Sequence, residues 1–455
     1  MLDFLDIVDR MWAGEKMGEL DYNLRLFQKL KEKAKEIGLR YDPENPVPSD
    51  DKLADEVFEA ALTLAAEIGV YATDHGRVFY VSEDEIKEAV KAVPREITVG
   101  AGRDSRRMIA RRPDERSVPF IWGATAAPYE ERLCVPIAQS VASLPIDGYG
   151  QIFNMWDIAG RRIRGTPLET YATRRAVEWA REGIRRAGKA GLHLSSYPLN
   201  TKASVILGSM DSDHLRPTDG VCCSHLPEGY KLQDDVLISA HVAHEYGCFV
   251  FDNVSADVGG FAGTFETAVI HNLAANLLGA ALLKYDYTLN YVAIVQNFDL
   301  SNTPECVWAK NLIIQAGSRN TNLKNIPTFI TGSEPGLERW FLETAAQIGS
   351  MPSGTATIAA SGRPNRPKRL NVGGPLDIKW CIELTLAGSK LNRKEANDIV
   401  KEILPLIPME ELAKYKKGLS FDEGYDMITF KPKKELSDLY GRMYNRIKDF
   451  GIPLE

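Results

Sequence analysis

The sequence has few of the features that usually reveal a function. Six cysteines at irregular spacing in 455 residues make no disulfide framework, so free thiols in a reducing cytoplasm are expected. No run of 18 apolar residues occurs, and even Ala268 to Leu283 is broken by His271 and Asn272, so no membrane span is expected. The opening MLDFLDIVDRMW carries three aspartates and no basic n-region, unlike a signal peptide. Basic residues are not in excess: 55 Lys and Arg against 62 Asp and Glu leave a net charge of −7, which argues against a nucleic-acid binder. The phosphate-loop, GxSxG, HExxH and GxGxxG patterns are all missing. There is no internal repeat and no low-complexity tract.

What is present is an ordinary apolar and charged balance, enough for a large core. Residues 1–95 read as a helical extension. Tyr22 to Ile37 and Asp51 to Ile68 have helical spacing, Ser49 and Asp50 are available as caps, and Ser82 to Glu85 resembles a capping box. From residue 96 to 351, short β-rich runs alternate with helix-length segments. The strands are read at Ile97–Gly100, Phe120–Ala124, Gly148–Asn154, Gly191–Ser195, Gly220–Ser224, Cys248–Phe251, Tyr291–Gln296 and Pro327–Thr331. Strand–helix alternation implies parallel βαβ units, and eight of them predict an α/β fold of (β/α)8 TIM-barrel type. An open doubly wound sheet is the rival, but its glycine fingerprint is absent. Residues 352–455 read as a Gly/Ser/Pro-rich loop or lid followed by C-terminal helices.

The stretch from Asp219 to Gly263 gathers polar residues at two strand ends, where barrel chemistry sits. Cys223 and His225 lie two apart and share a strand face, so they could supply two zinc ligands, with Asp252 or His244 a third. The bland reading is a buried cysteine beside a hydrogen-bonded histidine, since no second closely spaced pair exists. His241 and His244 read as surface residues of a helix. Asp252 and Asn253 follow an apolar run, Gln296 and Asn297 end the next strand, and Ser195, Ser196 and Tyr197 end an earlier one. Trp122, Tyr129, Phe153, Trp156, Tyr197, Phe251 and Phe298 lie near such ends and supply two or three rings for an apolar pocket. The arginines at 103–116 and 161–164 read as solvated surface, or else as a face for an acidic partner. Gly259, Gly260 and Gly263 permit a close backbone approach or a tight turn.

GVYATDHGR (69–77), VGAGRD (99–104), AGKAGLHL (187–194), the VCCSH strand, Ala243-His244, GGFAG (259–263) and SNTPE (301–305) resemble, in order and spacing, the monomethylamine:corrinoid methyltransferase family of methanogenic archaea. The resemblance implies a (β/α)8 barrel, a homo-oligomer, and passage of a methyl group to Co(I) of a separate corrinoid protein. The chain has no DxHxxG cobalamin motif, which fits a corrinoid carried by that partner. Where the family carries pyrrolysine at the end of the fourth strand this sequence has Ser195, and a family glutamate that contacts the amine falls at Asn253. Without them monomethylamine has no anchor.

A methoxylated aromatic is therefore the expected donor. Its phenolate leaving group needs a proton or a Lewis acid, which assigns His225, Asp252 and Ser195 to catalysis, and Cys223 with His225 to zinc if zinc is present. Asn253, Tyr197, Trp122, Trp156, Phe251, Gln296 and Asn297 are assigned to the substrate. The alternatives are a quaternary or methylated amine such as glycine betaine, with Arg103 for its carboxylate, and a non-catalytic barrel that binds the corrinoid protein.

Overall fold

Eight parallel strands build the wall: β1 (Trp122–Thr125), β2 (Gly148–Gln151), β3 (His193–Ser196), β4 (Gly220–Ser224), β5 (Phe249–Val258), β6 (Tyr287–Ile294), β7 (Lys324–Thr331) and β8 (Ala359–Gly362). Each pairs in parallel with its predecessor in the chain. β8 returns beside β1, so the sheet curls into the expected (β/α)8 barrel. The computed structural model describes residues 2–125, 127–151, 155–211, 213–224, 230–294, 302–331, 338–357, 359–362, 370–407 and 419–454.

Seven of the strands read from the sequence fall on the wall, and one does not. Ile97–Gly100 lies in a hairpin, Glu96–Val99 antiparallel to Arg106–Ile109. Its Ile97, Val99 and Met108 pack with Phe120 and Trp122 in one buried cluster. Gly100 donates to the Thr218 carbonyl and Ala101 to that of Gly191, so the hairpin plugs the amino ends of β3 and β4. The eighth wall strand, Ala359–Gly362, comes from the segment expected to be a loop. Its sequence is AASG, four small residues with neither alternation nor β-branched side chains to mark a strand.

Helices fall between the strands as read; Leu168–Arg186 and Glu338–Ala345 carry a 3.6-residue apolar period, while Phe265–Leu283 and Pro304–Asn320 are buried on nearly every side. The N-terminal caps are also as read. Asp50 accepts from the amides of Lys52 and Leu53, and Ser82 and Glu85 close a capping box. Phe265–Leu283 is long and apolar enough to cross a membrane, yet 94% of its apolar window is buried inside the protein. Its hydropathy is that of a helix surrounded by core. All six cysteines are free and buried.

Strand alternation separates two interiors. Trp122, Ala124, Cys222, Phe251, Tyr287, Leu289 and Ile326 point into the lumen and form one cluster. Val221, Cys223, Val250, Val254 and Val292 point outward into the larger core beneath the helices. Inward glycines make room for the lumen rings. A Cβ on Gly220 would stand 2.2 Å from the Tyr287 hydroxyl, and one on Gly150 would stand 2.6 Å from Trp122. Alanine at either position would have to displace an aromatic side chain.

Candidate active site

Ser195 lies on β3, the third wall strand rather than the fourth, because the first sequence-read strand belongs to the plug. It faces the lumen and is completely buried, as are His193, Phe251 and Tyr287. Its Oγ is 3.0 Å from His193 Nε2 and 2.8 Å from the Tyr287 hydroxyl. His193 Nδ1 lies 3.0 Å from the Thr218 carbonyl, which can only accept, so Nδ1 carries the proton. Nε2 then accepts from Ser195, and Ser195 accepts from Tyr287. Every donor in the chain is used. Burial also holds the His193 imidazole below its ordinary value, so it stays neutral.

Thr218 adopts φ 71°, a left-handed conformation that a β-branched residue rarely takes. Its hydroxyl donates to the Gly100 carbonyl at 2.8 Å. That pair of contacts fixes the backbone carbonyl on which the His193 tautomer depends. Next to it, Asp219 accepts from Arg181 at 2.6 Å and from the amides of Leu194 and Arg216 at 2.9 Å each. This buried ion pair ties β3 and β4 together at their amino ends.

The lumen around this hydrogen-bonded chain is aromatic. Phe251 stacks on Tyr287 with ring centroids 4.6 Å apart, Tyr197 meets Phe251 edge-on at 5.0 Å, and Trp122 lies 6.3 Å from Tyr197. The three expected pocket rings Trp122, Tyr197 and Phe251 thus converge. Asn253, two residues on from Phe251, shares their face. The rings and the hydroxyl chain share this buried lumen, and the Ser195 hydroxyl is committed to His193 and Tyr287.

Several expected site residues lie elsewhere. Asp252 alternates with Val250 and Val254, so it faces the outer core, where its Oδ2 accepts from the Tyr285 hydroxyl at 2.5 Å. Cys223 likewise faces outward. Burial, then Cys222, Cys248 and Asp252 nearby, push its thiol well above the ordinary range and disfavour the thiolate that zinc requires. Among the described residues no three His, Cys, Asp or Glu side chains gather to hold a metal. His225, Gln296 and Asn297, with Phe153 and Phe298, lie outside the described residues. Trp156 is 39% exposed at the rim, under the guanidinium of Arg164, and is not part of the lumen cluster.

Arg103, proposed as a carboxylate anchor, sits in the plug at the opposite end of the barrel and donates to the Gly188 carbonyl. Arg111, from the same arginine run, is buried and donates to the Met351 and Thr355 carbonyls at 3.0 and 2.9 Å. His241 stacks on Phe4 and His244 lies 3.2 Å from the Leu283 carbonyl, so both serve helix packing. Gly259 and Gly263, at φ 84° and 71°, form a tight turn closed by a 2.8 Å hydrogen bond from Gly259 to Gly263.

The sequence pattern does not mark His193, Thr218 or Tyr287 as site residues. The strand read from the sequence begins at Tyr291, four residues late. Reading YTLN as alternating would have put Tyr287 and Leu289 on one face.

The chain is 24% identical to monomethylamine methyltransferase MtmB of Methanosarcina mazei over 467 residues, covering 99% of this chain and 98% of the relative. It is also 24% identical to MtmB1 of Methanosarcina barkeri, with the same coverage. The crystal structure of the Methanosarcina barkeri monomethylamine methyltransferase superimposes with a TM-score of 0.92 at 22% identity, over 99% of this chain and 98% of that one. The family model for monomethylamine methyltransferase MtmB matches residues 2–452, and the chain belongs to that family.

Proposed function

We propose that this methyltransferase moves a methyl group from a quaternary ammonium donor such as glycine betaine to Co(I) of a corrinoid carried by a separate protein, in the cytoplasm. The observation that carries this reading is the closed chain Tyr287–Ser195–His193–Thr218, whose hydroxyl and imidazole protons are all committed. None is left to neutralise a leaving group. Co(I) attacks the methyl carbon, the C–N bond breaks, and its electron pair stays on nitrogen. A quaternary ammonium departs as a neutral tertiary amine and needs no proton. A methoxylated aromatic departs as a phenolate and does need one; of the two groups assigned to supply it, Asp252 faces away and His225 lies outside the described residues.

The aromatic wall also suits a cation. The faces of Trp122, Tyr197 and Phe251 carry negative quadrupole charge, and cation–π contact contributes about 0.5–2 kcal/mol per well-placed ring. A quaternary nitrogen has no N–H and so has no use for the covalent capture that pyrrolysine would provide at the place of Ser195. The names of the relatives, all monomethylamine methyltransferases, support a methylated-amine donor over an ether.

The test is a donor panel. The chain is mixed with a Co(I) corrinoid protein, and cobalt methylation is followed spectrally. Glycine betaine or tetramethylammonium is expected to methylate cobalt, with monomethylamine and methoxybenzoates inactive. Turnover of methoxybenzoates alone would restore the ether reading, and no turnover with any donor would leave a binding barrel. We also propose self-association. Leu5 and Trp12 on the helix Phe4–Ala13, and Leu20 and Leu24 on Glu19–Glu36, are more than half exposed.

A further inference from the structure

Between β2 and the helix Leu168–Arg186 the chain forms a short hairpin, with Asp157–Ile158 antiparallel to Arg161–Arg162. It follows the carboxyl end of β2, the end at which barrel enzymes carry their working groups. Trp156 and Asp157 line a cleft of about 390 Å³ with Tyr129, Glu130, Glu131 and Leu370, which belong to the segments after β1 and β8. Segments from three neighbouring strands thus meet beside the barrel mouth.

The hairpin is built to hold its shape. Ile158 and Ile163 are buried in the core, while Arg161, Arg162 and Arg164 are exposed. Its turn places Ala159 at φ 49° and Gly160 at φ 70°, the pair of left-handed positions that a two-residue hairpin turn uses. Alanine rarely takes that conformation, and the Glu131 carboxylate holds it there by accepting from the Ala159 amide at 2.5 Å.

What this hairpin presents is uncompensated positive charge. Other arginines nearby in the chain have carboxylates: Arg132 meets Glu130 and Asp422, each at 2.7 Å, and Arg174 meets Glu178 and Asp211. Arg161 donates instead to the Ala159 carbonyl of its own turn, and Arg164 lies 5.5 Å over the Trp156 ring. Among the described residues none of Arg161, Arg162 and Arg164 meets a carboxylate. Three arginines against one aspartate give residues 157–164 a charge of +2, in a chain whose total is −7. Trp156 and Leu370, each 39% exposed, add apolar surface beside them. Tryptophan and arginine are the residue types on which protein contacts most depend.

The geometry points to this hairpin as a docking element for an acidic face of the corrinoid protein, which has to bring its cobalt to the barrel mouth to receive the methyl group. The arginines steer and orient the partner, and Trp156 with Leu370 packs against it. This rests on methyl transfer to a corrinoid carried by a separate protein and holds whichever donor supplies the methyl group.

Biolayer interferometry with the full chain and the corrinoid protein of the donor panel tests it. Arg161→Glu combined with Arg162→Glu is compared with Arg103→Glu combined with Arg107→Glu, an equal charge change on exposed residues of the plug at the opposite end. The hairpin double variant is expected to bind at least about tenfold more weakly, and the plug double variant within about threefold of the parent. In turnover the hairpin variant should raise the KM for the corrinoid protein and keep the parent's kcat. Each variant is checked for an unchanged thermal midpoint, and Arg162→Glu alone, expected to cost about threefold, replaces the double variant if that midpoint falls. Parent-like binding by a folded hairpin variant, or an equal loss in both double variants, would overturn docking at this face. Cobalt methylation from an ammonium donor would then still carry the quaternary-ammonium reading. A binding loss confined to the hairpin variant, with no ammonium turnover by the parent, would keep the docking element and remove that reading. A parent that binds no corrinoid protein would overturn both.

Discussion

Asp219→Ala is expected to lower the free energy of unfolding by about 3–5 kcal/mol, the usual cost of leaving one partner of a buried ion pair alone. Arg181 is fully buried and has its carboxylate only 2.6 Å away. Its remaining donors go to the carbonyls of Leu192 and His214, at 2.8 and 2.9 Å, so it cannot swing out to water without breaking those bonds too. The same substitution frees the amides of Leu194 and Arg216, each worth about 1 kcal/mol when a buried hydrogen bond is lost. Urea unfolding followed by circular dichroism reads the effect. A loss below about 1 kcal/mol would mean that β3 and β4 are held together by something else.

Acidification should destabilise the parent more than His271→Leu, and the difference between their two stability curves should grow as pH falls from about 6.5 to about 4. His271 lies inside the helix Phe265–Leu283, stacked on Tyr230 at 5.0 Å, and neither ring nitrogen has a hydrogen-bond partner among the described residues. Burial alone pulls its imidazole from 6.5 down to about 4. Between those values the unfolded chain binds the proton and the folded chain does not. The stability is therefore fully present above about 6.5 and is lost as pH falls toward the folded value. At about 1.4 kcal/mol per pH unit, the loss approaches about 3 kcal/mol near pH 4. Asp377 acts in the opposite sense, because burial lifts its carboxyl to about 7 and the folded chain holds that proton. The comparison of parent and variant cancels Asp377 and isolates His271. Parallel curves over the whole window would show that the ring takes up its proton without unfolding.

The architecture was readable where side chains repeat with a period. Long apolar-faced helices and β-rich runs such as Gly220–Ser224 were placed within a few residues, and the capping box at Ser82 was seen directly. Ala359–Gly362 was not readable, because four small residues carry no period. Strand propensity does not tell parallel from antiparallel pairing, so the β-rich run at Ile97 reads as a wall strand although it forms a hairpin.

The site was readable as a list of residue types at strand ends but not as directions. Trp122, Tyr197 and Phe251 were placed in the lumen, while Asp252 and Cys223 were one residue out of phase with it. A shift of one residue reverses the face, and only the register with β6, anchored by the Phe251–Tyr287 stack, fixes which face is which. Thr218 could not have been found. Its importance lies in a carbonyl and a strained φ, neither of which a side-chain pattern reports.

The most direct measurement supplies glycine betaine labelled with ¹³C in its N-methyl groups to the chain and a Co(I) corrinoid protein, then reads the product by ¹³C NMR. The expected result is a labelled methyl on cobalt, with dimethylglycine in equal amount. An unlabelled cobalt, alongside a labelled one when the label is instead in the methoxy group of a methoxybenzoate, would contradict the account.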